Sequence, residues 1–209
     1  MANRENSAAT PVRTAVPRTV RRADDEWDRL ASALNDYGVI HIAPRRRRSA
    51  GVSHSASELF EQLLTSREPR LHQSAIVLLL THPSLADRAM AAIQRLTGSS
   101  RDRAMRRYVA AAALQRLVRT RIALQLGPQP ELPAAFLEDL GLPCLDREYG
   151  RDALFELARQ EEALYGYDAW GTYLSLLDLF LAEGRRAGWG RVAAHVQDGT
   201  GVSGPIAHG

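Results

Sequence analysis

The sequence predicts an all-α protein: an antiparallel helical bundle, or a short stack of helical hairpins, around one long central helix, with disordered basic ends. Three observations predict it. Runs of helical periodicity open on three capping-box patterns, Ser55–Glu58, Ser84–Asp87 and Ser99–Asp102, in which a hydroxyl and a carboxylate each satisfy a free backbone N–H. Links of two to four residues between these runs force successive helices to turn back on one another. Finally, Tyr108–Gln115 carries no charge while arginines crowd both sides of it, the pattern of a spine with an enclosed middle and wet ends.

The elements follow in order. Residues 1–23 lack hydrophobic periodicity and read as a disordered arm. Asp24–Asp36 forms a short helix with Trp27, Leu30 and Leu34 on one face and acids at its N-terminus, ended by Gly38. Val39–Ile42 is briefly β-prone and leads through Pro44 into a basic linker, completing a 24–54 segment. The helical domain spans 55–184. Its first helix carries Leu59, Phe60, Leu63 and Leu64, and Thr65–Pro69 breaks it, because proline fits only a helix's first turn. Arg70–Thr81 follows, apolar from Ala75 to Leu80 and therefore buried on most sides. Pro83 stops it. The Ser84 box opens a helix with Leu85, Met90, Ile93 and Leu96 inward, closed by Gly98. The spine then runs from about Ser100 to Leu126, about 40 Å at 1.5 Å per residue. Gly127-Pro128-Gln129-Pro130 ends it, a short segment Ala134–Leu140 intervenes, and two helices, Arg151–Leu164 and Asp168–Glu183, close the domain at Gly184. Residues 185–209 are Gly-rich and read as a flexible tail.

Composition excludes several chemistries. All 27 basic side chains are arginine, and Cys144 is the single cysteine. Without lysine there is no Schiff base, phosphate-loop lysine or lysine nucleophile. One thiol builds no zinc cage, iron–sulfur cluster or internal disulfide. The longest clear apolar run, Ala75–Leu80, is too short to cross a bilayer, and no apolar segment follows the N-terminal arginines as in a secretory signal. A cytoplasmic location with no membrane partner is expected.

Charge is polarised along the chain. Residues 1–50 carry +4, 51–130 carry +6, 131–184 carry −9 and the tail +2. Such a chain pairs its basic half with its own acidic half, with a second copy, or with phosphates. The strongest local cluster is Arg45, Arg46, Arg47 and Arg48, which in an extended linker would contact nucleic-acid phosphates without sequence preference. Arg103, Arg106 and Arg107 sit at the N-terminal end of the spine, the wrong end of the helix dipole, with like charges at i,i+4. Something negative must compensate them: acids near Asp146, Glu148, Glu161 and Glu162, a phosphate, or an acidic partner.

Arg67-Glu-Pro-Arg-Leu-His72 has an R-x4-H spacing that resembles HEPN-type ribonucleases. The resemblance implies that Arg67 and His72 act on a scissile phosphate. Glu68 stands where that family has a small polar residue, and Pro69 interrupts the motif at a helix start. The other histidines, His41, His54, His82, His195 and His208, have no i,i+4 ligand partner, so no metal and no cofactor is expected. His82, at a helix end, is placed to bind free carbonyls.

On the last helix, Trp170, Tyr173, Leu174, Leu177, Phe180 and Leu181 form one stripe, while Leu176 and Leu179 fall on another side. A second apolar face packs against a further helix or a partner chain. The expected function is a non-catalytic adaptor or regulatory subunit that contacts a protein partner or a second copy, with Leu176 and Leu179 as interface. The alternatives are a nucleic-acid-associated protein using the arginine clusters and a HEPN-like ribonuclease.

Overall fold

The computed structural model describes residues 18–44, 55–66 and 68–187. These fold into eight α-helices: α1 Arg18–Asp36, α2 Ala56–Thr65, α3 Pro69–Thr81, α4 Ala86–Arg95, α5 Gly98–Leu117, α6 Arg119–Leu126, α7 Arg151–Tyr165 and α8 Ala169–Ala187. No strand occurs among the described residues. The all-α bundle organised around a central helix is therefore the architecture.

Helix α5 is the centre because its surface permits close approach on every side. Ala104 through Gln115 are all buried, and Ala110–Ala113 offer only methyl groups. Helices α3 and α7 pack against it from two sides, and α2, α4 and α8 complete its enclosure. The turn Arg147–Gly150 also rests on it. Glu148, Tyr149 and Gly150 have φ of 46°, 54° and 83°, a left-handed turn that costs non-glycine residues roughly 1–2 kcal/mol each. Gly150 lies where a Cβ would stand 3.0 Å from the Ala113 carbonyl oxygen, so glycine meets both the dihedral and the close contact.

The Ser55 capping box forms in full: the Ser55 hydroxyl accepts from the Glu58 N–H, and Glu58 accepts from the Ser55 N–H. The other two boxes do not form. Pro83 starts a single 3-10 turn, Pro83–Leu85, which places Ser84 inside a turn and Leu85 at the start of α4. Helix α5 begins at Gly98 with Thr97 as its N-cap, so Ser99 lies within the helix and the Asp102 carboxylate turns to Arg106. The burial of Ala75–Leu80 is complete, as their sequence predicts.

Three boundaries differ from the sequence reading. Helix α1 begins at Arg18, since nothing between Thr19 and Asp36 is a glycine or proline that would stop it. The spine is broken at Val118, with φ −122° and ψ 24°, into α5 and α6. No proline or glycine marks the break. A β-branched residue occupies it, and the bend lets α6 bury Ile122 and pack on α8. Helix α8 passes through Gly184, a buried position, to Ala187. Gly184 there weakens the helix interior rather than ending it.

Side chains tie the connections down. The Gln115 amide donates to the Pro130 carbonyl at 2.9 Å and accepts from the Leu132 N–H at 2.7 Å, pinning the return strand of chain to α5. Trp27 Nε1 donates to the Ala43 carbonyl, and Val39 and Ile42 are buried in the core without forming a strand. His82 does bind a backbone carbonyl, that of Tyr37 just after α1, at 2.6 Å.

Candidate functional site

A cleft of about 500 Å³ opens between the N-terminal turns of α3 and α5 and the α7–α8 turn, lined by Thr65, Ser66, Pro69, His72, Arg103, Arg107, Tyr165 and Tyr167. Its position follows from local sequence. Pro69 starts α3 and sets His72 one turn in. Gly166, at φ 70°, reverses the chain after α7, and Asp168 caps α8 by accepting the Gly171 N–H at 2.8 Å. The reversal brings Tyr165 and Tyr167 to the same side, with ring centroids 6.4 Å apart and planes 28° from parallel.

The three spine arginines have different fates. Neighbours on α5 pair with neighbours on α7. Arg106 Nε donates to Asp102 at 2.8 Å, and its Nη1 donates to the Gln160 side chain at 3.0 Å. Arg107 Nη1 donates to both Glu161 oxygens, at 2.9 and 3.0 Å, and to the Tyr173 hydroxyl at 3.2 Å. Tyr167 donates its hydroxyl proton to Glu161 in a short hydrogen bond. Glu161 is fully buried, so this is an interior ion pair with two phenols completing its shell. Burial opposes the charge on Arg107, but Tyr173, Glu161 and Tyr167 outweigh it and hold its pKa above the usual guanidinium value. Burial pushes Tyr167 up to about 12, which keeps its proton in place at neutral pH.

Arg103 differs from both. It lies one turn before Arg107 on the same face, partly buried, and its polar contact is His72 Nε2 at 3.4 Å. That ring nitrogen also meets the Ser66 carbonyl, which only a protonated Nε2 can satisfy. Arg103 therefore faces an N–H and not a lone pair. No carboxylate lies within 4 Å of it among the described residues. Burial lowers the pKa of His72, the Ser66 hydrogen bond opposes this, and Arg103 and Arg107 lower it further, all but the Ser66 bond favouring the neutral ring. Among the described residues, Arg103 and Arg107 stand at the cleft, and Glu161 pairs with Arg107 alone. In addition, Arg107 Nε is buried without an acceptor.

His72 donates its Nε2 proton to the Ser66 carbonyl, Tyr167 donates to Glu161, and Glu161 is engaged by Arg107 and Tyr167. Among the described residues no group of three His, Cys, Asp or Glu is placed to hold a metal ion.

Of the remaining sequence-predicted residues, Leu176 and Leu179 do not line this cleft. Arg45, Arg46, Arg47, Arg48 and Arg67 lie outside the described residues. Leu176 is 7% exposed and belongs to the core, because α3 covers α8 alongside α6 and α7, whereas Leu179 is 36% exposed. Both leucines nevertheless line one shallow groove with Gln73, Gly171, Thr172 and Ser175, Leu176 being the more buried of the two. Sequence reasoning had no signal for the meeting of Arg103 with His72, or for Tyr165 and Tyr167 as cleft walls. No family model, no curated protein and no solved structure matches the chain.

Proposed function

We propose that this protein is a non-catalytic helical adaptor or regulatory subunit, and that its recognition site is the α3–α5–α7/α8 cleft, where it captures an oxyanion. One observation carries the reading: Arg103, at a cleft wall, has no acceptor for its guanidinium among the described residues, and its neighbour His72 presents a donor. Arginine offers five N–H donors in a planar fork suited to phosphate or carboxylate. Arg107 is already locked by Glu161, so the second cation is held without further loss of side-chain freedom when a ligand arrives. The polarised charge of the chain supports the same direction, since residues 51–130 carry +6.

Thermal unfolding in phosphate, pyrophosphate or acetate, against chloride at equal ionic strength, tests it. A ligand at 100 times its Kd stabilises the folded state by about 2.7 kcal/mol. The wild-type protein should melt higher with the bound oxyanion, and Arg103→Gln should lose that gain. Equal shifts in both proteins would remove Arg103 from the site, and no shift in either would end the reading.

A further inference from the structure

Building on the oxyanion reading above, we infer that the cleft takes a nucleoside phosphate, its phosphate on Arg103 and its base stacked on Tyr165.

The cleft is larger than an oxyanion needs. Its volume of about 500 Å³ falls in the range of small-molecule sites, which are mostly apolar with a few placed polar groups. The polar groups are Arg103, Arg107 and His72, with Thr65 and Ser66 at the end of α2. The apolar walls are Pro69, at the first turn of α3, and the two tyrosines of the α7–α8 turn. Tyr165 is 51% exposed and follows Leu164, itself 59% exposed, so a broad aromatic face is presented at the cleft mouth.

The two tyrosines are not equivalent. Tyr167 spends its hydroxyl on Glu161 and is drawn inward, where it belongs to the Arg107 network. Tyr165 makes no polar contact among the described residues beyond lining the cleft, and its ring lies nearly parallel to that of Tyr167. The two rings lie nearly parallel with centroids 6.4 Å apart, and about half of Tyr165 remains exposed at the cleft. A flat, π-rich group attached to a phosphate satisfies both ends of the site: the anion takes Arg103, which has no carboxylate partner among the described residues, and the ring covers the exposed part of Tyr165. A nucleoside phosphate has this form. Base–aromatic stacking is sequence-tolerant, because every base offers a π-face. The ligand is either a free mononucleotide or the terminal nucleotide of a single strand, and these two sources share the chemistry.

The test uses the full chain, purified after nuclease digestion, and titration calorimetry with adenosine 5′-monophosphate, ribose 5-phosphate, phenyl phosphate, inorganic phosphate and a 5′-phosphorylated single-stranded hexanucleotide. Adenosine 5′-monophosphate or the hexanucleotide should bind roughly tenfold or more tightly than ribose 5-phosphate. Tyr165→Leu should erase that difference while leaving the response to phosphate unchanged, and Arg103→Gln should abolish both. Binding of the hexanucleotide with none of the mononucleotide assigns the site to single-stranded nucleic acid, and the opposite result assigns it to free nucleotide. If ribose 5-phosphate or phenyl phosphate binds as well as the nucleotide, or Tyr165→Leu changes nothing, the nucleoside assignment is overturned while the oxyanion site stands. If no phosphate compound binds and Arg103→Gln is indistinguishable from wild type, the oxyanion reading fails as well.

Discussion

Arg107 and Glu161, 54 residues apart in the chain, meet in the interior with N–O separations of 2.9 and 3.0 Å. The pair joins the middle of the bundle, α5, to α7, and through Tyr173 it reaches α8. It also answers the electrostatic problem at the start of α5, where arginines oppose the helix dipole.

Removing one partner should be far worse than removing both. Glu161→Ala leaves Arg107 buried without its counter-charge and should cost about 3–5 kcal/mol in urea denaturation. The double variant Arg107→Met, Glu161→Leu should recover much of that loss, because apolar groups of similar size need no counter-charge. A Glu161→Ala protein within about 1 kcal/mol of wild type would show that the pair contributes little.

The three capping-box patterns should separate on mutation. Ser55 is hydrogen-bonded as a cap, so Ser55→Ala should lose about 1 kcal/mol. Ser84→Ala and Ser99→Ala should each stay within about 0.5 kcal/mol, since neither hydroxyl caps its helix. Equal losses at all three sites would contradict the boundaries of α4 and α5.

His41 should make stability fall in acid. Burial lowers its pKa from 6.5 to about 4, in a contact with the Ser74 hydroxyl at 3.2 Å and Glu183 at 3.7 Å. The folded state therefore binds this proton less readily than the unfolded chain. The associated stability is present above pH 6.5 and is lost as pH falls from 6.5 toward 4, with a slope of at most about 1.4 kcal/mol per pH unit. Urea titrations between pH 4 and 8 should show a shallower decline for His41→Gln than for wild type. Parallel curves would exclude His41 as a source of the dependence.

Leu176 and Leu179 should respond oppositely to a charge. Leu176→Glu puts a carboxylate in the core and should destabilise by at least about 3 kcal/mol, whereas Leu179→Glu should change stability by no more than about 0.5 kcal/mol. Sedimentation of the folded Leu179→Glu protein then reads directly on self-association. A lower mass than wild type would assign that surface to a dimer contact, and an unchanged mass would take Leu179 out of one.

What the sequence determined by itself rests on short spacing, although the equally local Ser84 and Ser99 boxes do not form. The Ser55 cap, the Pro69 start of α3, the burial of Ala75–Leu80 and the uncharged centre of α5 follow from neighbours one or two turns apart, where local preference and solvent exclusion act together. The unfavourable placement of Arg103, Arg106 and Arg107 was legible for the same reason. Tertiary structure decided who answers them. Glu161 compensates Arg107 only because the small side chains of α5 let α7 dock at that register, and Arg103 has no carboxylate partner among the described residues because the neighbouring α3 turn delivers a histidine already committed to Ser66. The break at Val118 and the left-handed turn at Glu148–Gly150 carry no strong local signal either. Their cost is local, but what offsets it is packing against α8 and Ala113, between residues that periodicity along one helix cannot relate.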